Sequence, residues 1–239
     1  MSDGVKGTRK YESAIRREQA ALTRRRILEA AQRLFEREGY TATTMAAIAE
    51  EARVSLKTVY LSFGTKAGTL RALWHLLLRG DEAPVPVGER PWFRAVLDEA
   101  DPERKLRLNI HTAKVVRGRI GGLLKVIRDA APTEPEIGEL WERIQADFYE
   151  NQRAIVEDLH KRRALRRGLG VDRATDILWT LNHPDVYRLL VSERGWTHDE
   201  HETWLADLVC SQLLRPRADT PRREARSTRS GCRRPRPDD

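Results

Sequence analysis

Charged residues make up 33% of the 239-residue chain and hydrophobic ones 40%, and no apolar run approaches the ~20 residues of a bilayer span, which excludes the membrane class and full disorder. With only Cys210 and Cys232, a disulfide framework and a four-cysteine zinc site are excluded, and a reducing cytoplasm is the expected compartment. The formal charge of +8 is carried by the ends: residues 1–81 hold 15 Lys and Arg against 9 Asp and Glu, residues 82–215 hold 21 against 23, and residues 216–239 hold 8 against 4. A basic N-terminal third on a near-neutral body points to a polyanion-binding unit joined to a part that need not touch nucleic acid.

Residues 1–20 have neither an apolar signal-peptide core nor a periodic apolar pattern, and read as a basic flexible arm with no secretory signal. From Thr23 the spacing changes. Ile27, Leu28, Ala31, Leu34 and Phe35 recur at helical period, and Gly39 is a typical residue just past a helix end. Thr44 suits the N-cap of a short second helix with Met45, Ile48, Ala49 and Ala52 on one face. Arg53-Val54 is the turn, and Ser55 caps a third helix. Its expected inward residues are Leu56, Val59 and Phe63; Lys57 and Leu61 point away, with Thr58 and Tyr60 on the flanks. A fourth helix runs from about Thr65 through Leu70, Leu73, Trp74 and Leu77 to Gly80.

The stretch DEAPVPVGERP, residues 81–91, reads as a linker. Beyond it we read only helices, over about 92–99, 102–117, 120–130, 135–166, 172–192 and 197–214, with breaks at Asp101-Pro102, Gly121-Gly122, Pro132/Pro135 and Gly168/Gly170, and Pro184 marking a kink or break within 172–192. Residues 216–239 contain no aliphatic side chain larger than alanine and read as a disordered basic tail. The fold class expected is all-α: a helix-turn-helix domain over 21–81, with the motif itself at about 44–63, and a larger helical domain over 82–215.

Two short helices around a tight turn have the proportions of a motif whose second helix enters the DNA major groove. Such a unit needs exposed donors toward base edges and flanking groups that hold phosphates. Lys57 and Thr58 can reach base edges or backbone, Tyr60 can donate to a phosphate, and Leu61 can make apolar contact, for instance with a thymine methyl. Thr44 and Ser55 open helices whose free N–H groups suit a phosphate, and Lys66 would extend that footprint.

The run Gly39-Tyr40-x-x-Thr43-Thr44-Met45-x-x-Ile48-Ala49-x-x-Ala52-x-Val54-Ser55-x-x-Thr58-Val59-Tyr60-x-x-Phe63-x-x-Lys66-x-x-x-Leu70 resembles the DNA-binding domain of the TetR family of bacterial transcriptional regulators. The resemblance implies a dimer of all-helical subunits, each with a DNA-reading head on a ligand-binding and dimerisation domain, released from a palindromic operator by a small molecule. By position it hands DNA contact to Thr44, Ser55, Lys57, Thr58, Tyr60 and Lys66. Three positions depart from the family pattern: Arg53 stands where the turn usually has glycine, Leu61 where the residue is often polar or aromatic, and Gly68 interrupts the start of the fourth helix.

The resemblance also implies a dimer layer near the C-terminus. Leu178, Leu181 and Leu189, followed by Trp204, Leu205, Leu208 and Val209 behind a Thr197-to-Glu200 capping box, supply apolar faces for a four-helix bundle across a twofold axis. The alternative is that they pack on their own subunit. For an effector pocket the body offers Trp92, Phe93, Trp141, Phe148, Tyr149, Trp179 and Tyr187, of which two or three are expected to face a cavity, with His111, Asn182 and His183 as polar partners; His111, Trp141, Phe148, Trp179 and Asn182 are the candidates taken forward, with no positional pattern to select among them. His198-Asp199-Glu200-His201 lacks the HExxH order of a zinc helix, and Gly118 to Lys125 lacks the phosphate-loop spacing and a preceding strand. We therefore expect no metal, no cofactor and no catalytic residue. Lys161-Arg162-Arg163 and Arg166-Arg167 fit a solvated helix end. The expected partners are double-stranded operator DNA, a second copy of the chain and a small-molecule effector, with no membrane. Three rivals remain: a regulator that activates, an enzyme with an accessory head, and a charge-driven DNA-compacting protein.

Overall fold

The computed structural model describes residues 4–80 and 85–216, with side chains from residue 16 onward. Among these residues the fold is all-α. The head comprises α1 (Gly4–Ala42), α2 (Met45–Glu51), α3 (Leu56–Phe63) and α4 (Lys66–Arg79). The body follows a 3-10 turn at Val87–Glu89 with α5 (Pro91–Asp98), α6 (Pro102–Ala130), α7 (Pro135–Lys161), α8 (Val171–Leu181), α9 (Pro184–Tyr187), a π-helical stretch at Arg188–Glu193 and α10 (His198–Leu213). An isolated antiparallel bridge joins Leu165 to Leu214. The tail expected over 216–239 lies, apart from Pro216, outside the described residues.

The expected arm is a helix from Gly4 onward. Its composition explains the difference: residues 8–22 contain no proline or glycine and are rich in Arg, Glu, Gln and Ala, which favour helix without needing a buried face. Residues 16–22 are exposed, so no apolar stripe marks them. The helix bends at Gly39, where φ is 81° and ψ 173°.

The expected break at Gly121-Gly122 is also absent, since α6 runs unbroken for 29 residues, about 43 Å at 1.5 Å per residue. Of the two glycines, Gly122 packs closely, since a Cβ there would lie 2.8 Å from Glu36 Oε1 on α1, whereas one on Gly121 would meet nothing within 4 Å. Within 172–192 the break falls at the expected Pro184: the helix stops at Leu181 and restarts at Pro184, because proline lacks the N–H that would continue the ladder.

Two apolar cores result. The first joins α1–α4 to Ile120, Leu123, Leu124 and Ile127 of α6 and to Ile137, Leu140 and Ile144 of α7. The second gathers α5, the first half of α6, the second half of α7, α8 and α10. The expected boundary at 81/82 therefore does not separate two cores; the head shares one with the body. At the far end, fully buried Lys105 lies 2.6 Å from Asp158 Oδ2 and donates to the Leu97 carbonyl, tying α5, α6 and α7 together.

The second core also revises the expected dimer surface. Leu178, Leu205 and Val209 are fully buried within the protomer. Each faces inward because its helix packs on α6 or α7, so these side chains are not a free face. Leu181, Trp204 and Leu208 are half-buried, and Leu189 is exposed.

Candidate nucleic-acid interface and body cavity

The caps of the short helices form where the sequence sets them. Thr44 Oγ1 accepts a hydrogen bond from the Ala47 amide at 3.0 Å, and Ser55 Oγ accepts from the Thr58 amide at 3.1 Å while its hydroxyl lies 2.7 Å from that of Thr58. Between them Arg53 takes φ 54°, the left-handed conformation that the usual glycine would adopt without strain. The departure in sequence thus leaves the turn's shape intact.

Val59 is wholly buried and fixes the roll of α3. Leu56, Lys57, Tyr60 and Leu61 share the opposite, exposed face at i, i+1, i+4 and i+5. Leu56 is 42% exposed, Tyr60 50% and Leu61 78%. Leu56 was expected to point inward, but it opens the first turn of α3, beyond the reach of the first core. The exposed face therefore carries one ammonium, one phenol and two leucines.

Lys66, expected at a phosphate, has partners within the head. Its Nζ donates to the Tyr40 carbonyl at 2.9 Å and lies 4.2 Å from the centre of the Tyr40 ring. It closes the end of α1, where a cation complements the helix dipole. Burial and the nearby Glu134 and Glu136 push the Tyr40 phenol up to about 12. Arg24 does similar work at α3, donating to the Ser62 carbonyl at 2.9 Å with its guanidinium 4.4 Å from the Phe63 ring centre. Gly68 does not interrupt α4. A Cβ there would lie 2.2 Å from the Phe63 carbonyl oxygen, so glycine is what lets α4 start tight against the end of α3.

Between the two cores lies a cavity of about 410 Å³, lined by α4, the 3-10 turn, α5, α6, α7 and the end of α8. Trp74, Leu78, Phe93, Val116 and Ile144 make its walls largely apolar. The stretch read as a linker contributes Pro86, Val87 and Gly88 to the lining. On α6, Asn109 Nδ2 donates to Gln152 Oε1 at 3.0 Å. Arg117 Nη2 donates to Asn182 Oδ1 at 2.6 Å and to the Asn182 carbonyl at 3.1 Å, with the guanidinium 5.0 Å from the Tyr187 ring centre. Burial lowers the Arg117 pKa to about 10, still cationic at neutral pH. Burial, then Arg79 and Arg71, hold His75 on the α4 wall below its usual pKa.

Of the five residues taken forward for a pocket, Phe148 and Asn182 line this cavity, as do Trp92 and Phe93 among the seven aromatics offered. The other three of the five do not. His111 pairs with Glu202 at 2.8 Å on an exposed surface; Trp141 packs against the first core; Trp179 stacks edge-on with His183 at 5.0 Å and Tyr149 at 6.3 Å. Three of the seven aromatics thus line the cavity, within the number expected, but aromatic identity alone did not say which three. Arg117, the cavity's buried cation, was missed, although the sequence held a signal: with Ile120 and Leu124 it sits at i, i+3 and i+7, a charge on the buried stripe of α6.

Among the described residues, no group of three or more His, Cys, Asp or Glu is arranged to hold a metal ion, and no helix is long and apolar enough to cross a membrane. The family model for bacterial regulatory proteins of the tetR family matches residues 27–73, the span from the buried part of α1 to the middle of α4. Over 216 residues the chain is 30% identical to "Probable HTH-type transcriptional regulator ArpR" of Pseudomonas putida, a match covering 83% of this chain and 97% of that protein. Among solved structures, the chain is similar to NalD, the secondary repressor of the MexAB-OprM multidrug efflux pump in Pseudomonas aeruginosa, with TM-score 0.65, 22% identity, and 83% and 99% of the two chains covered. It is also similar to a transcriptional regulator from Saccharomonospora viridis in complex with choline, with TM-score 0.65, 20% identity, and 82% and 99% covered.

Proposed function

The chain belongs to the TetR family of bacterial regulatory proteins, and from that premise we propose that it is a homodimeric, ligand-responsive repressor that binds a palindromic operator and is released from it by a small molecule held in the body cavity. The observation that carries this reading is the double role of α4. Its first two turns, with Ala67, Leu70 and Leu73, belong to the core that supports α3. The next two, with Trp74, His75 and Leu78, line the cavity. A molecule that binds better to one setting of α4 therefore biases where α3 stands, so effector and operator oppose each other through one helix.

On DNA, α3 lies in the major groove with Lys57, Thr58 and Tyr60 toward base edges and backbone, and Leu61 against a thymine methyl. The amide ends of α2 and α3, at Thr44 and Ser55, face phosphates. Dimer contact runs through what α8 and α10 leave uncovered, Leu181, Trp204 and Leu208. The protein works on the nucleoid in the cytoplasm. Among its structural relatives NalD is a repressor and the Saccharomonospora viridis regulator holds choline, which supports the same roles here.

DNase footprinting of the region upstream of its own gene, together with sedimentation of the free protein, tests this reading. We expect two protected half-sites related by a dyad and about one helical turn apart, and a dimer at micromolar concentration. A monomer that protects no discrete site overturns it.

A further inference from the structure

The hydrogen-bond inventory of the cavity constrains the chemistry of its occupant. Arg117 is 7% exposed and lines the cavity. Among the described residues its acceptors are neutral, the carbonyl and the side-chain oxygen of Asn182, and both bind Nη2. Nη1 is buried with no partner. Trp92, another residue of the cavity lining, also carries a buried donor, Nε1, with no partner among the described residues. The neighbouring acceptors are already engaged: Gln152 Oε1 receives Asn109 and Asn182, and Asn182 Oδ1 receives Arg117. The two carboxylates on the lining, Asp147 and Glu150, are solvent-exposed and neither bonds the guanidinium. The other titratable lining groups, His75 and Arg79, bring no negative charge.

A buried cation without a counter-ion is costly, and unpaired buried donors add to the cost. Both deficits are met by one kind of molecule. We propose that the cavity binds an amphipathic organic anion, whose acidic head accepts from Arg117 Nη1 and Trp92 Nε1 and whose apolar body lies against Trp74, Phe93, Val116 and Phe148. The proposal rests on the effector reading of the same cavity and names the class of effector. An anion there also sits between α6, which carries Arg117, α5, which carries Trp92, and the α4 wall, so its charge is neutralised at the point where the head-supporting helix can be displaced.

The test is a fluorescence titration of the purified full-length protein without DNA, using two probes with the same ring system: anilinonaphthalene sulfonate, an anion, and phenylnaphthylamine, which lacks the sulfonate. We expect the wild type to bind the sulfonate about tenfold tighter or more, the size of one charge-assisted hydrogen bond. Arg117→Met should erase that preference while keeping phenylnaphthylamine affinity, which also reports that the variant is folded. Trp92→Phe, which keeps a ring and removes only the N–H donor, should weaken the sulfonate alone. Independently of any variant, decanoate should displace the bound sulfonate and decanol at equal concentration should displace it clearly less. Equal affinity for the two probes, a preference that survives Arg117→Met, or equal displacement by acid and alcohol overturns the proposal. Because DNA is absent, the outcomes separate: an acid that binds through Arg117 but leaves operator affinity unchanged sinks the regulatory reading alone, and operator binding with no preference for the anionic probe sinks this one alone.

Discussion

Arg53 holds a left-handed backbone, φ 54°, in a position where its exposed side chain gains nothing from the core. Left-handed φ costs a non-glycine residue about 1–2 kcal/mol, and glycine returns part of that through unfolded-chain entropy. Arg53→Gly is expected to stabilise the protein by about 0.5–1 kcal/mol in urea denaturation; a loss of stability would mean that the side chain makes a contact worth more than the strain. Lys66 makes the opposite case, a cation whose position in the motif points to DNA and whose atoms close the end of α1. Lys66→Gln should cost about 1–2 kcal/mol of stability, for the lost charge-assisted bond and ring contact. It should leave the salt dependence of DNA binding nearly unchanged, whereas a true phosphate contact would reduce that slope by about one. Residue types in a motif carry their positions but not their partners, which is why Lys66 and Leu56 were legible as places and not as roles.

Helix starts were the most legible elements. Thr44, Ser55 and Thr197 each accept the expected amide, and the Thr197–Glu200 capping box closes in both directions. Capping is local chemistry within four residues, so sequence suffices. Glycine was ambiguous, because a break and a close approach demand the same residue. Gly68 shows which one holds here: Gly68→Ala puts a Cβ against the Phe63 carbonyl, 2.2 Å away in the present backbone, and α4 must shift from α3. We expect a loss of about 1–3 kcal/mol, as for other overpacked sites, read as a lower urea midpoint. At Gly122 the obstacle is the flexible Glu36 side chain, so Gly122→Ala should be tolerated and Gly122→Leu should not. The first helix escaped notice over residues 4–22 because the periodic signal reports burial, and the described side chains there, residues 16–22, are exposed.

At the scale of the whole molecule, the all-α class and the head were readable, whereas the shared first core and the cavity were not. The cavity draws its lining from Trp74 to Pro184, and each apolar residue fits its own helix equally well as core or as wall; only the packing of six elements decides. The body also sets a pH dependence. His201 is 1% exposed, and burial, then Arg117 and His198, lower its pKa to about 4; His75 and His183 are lowered as well, each chiefly by burial. Such groups resist protonation in the folded state and accept it in the unfolded state near pH 6.5, so the unfolded chain binds more protons between those values. Stability is therefore full above about pH 6.5 and falls on acidification, for His201 toward pH 4, by up to about 1.4 kcal/mol per pH unit, and His75 and His183 add to it in the same direction. Urea midpoints at pH 7.5 and pH 5 should differ in that direction, and the difference should shrink in His201→Gln. Equal midpoints would contradict the buried neutral state.

Sequence-specific recognition by the exposed face of α3 is the claim on which the rest depends, and a competition gel shift tests it most directly. The purified protein is titrated onto its own upstream region in excess unrelated DNA, beside Lys57→Ala/Tyr60→Ala, a pair of exposed residues whose removal leaves Val59 and the core untouched. We expect a discrete shift that survives the competitor and is lost in the double variant. A shift abolished by any DNA, or one that the double variant retains, would show that charge alone brings the protein to DNA and that α3 does not read it.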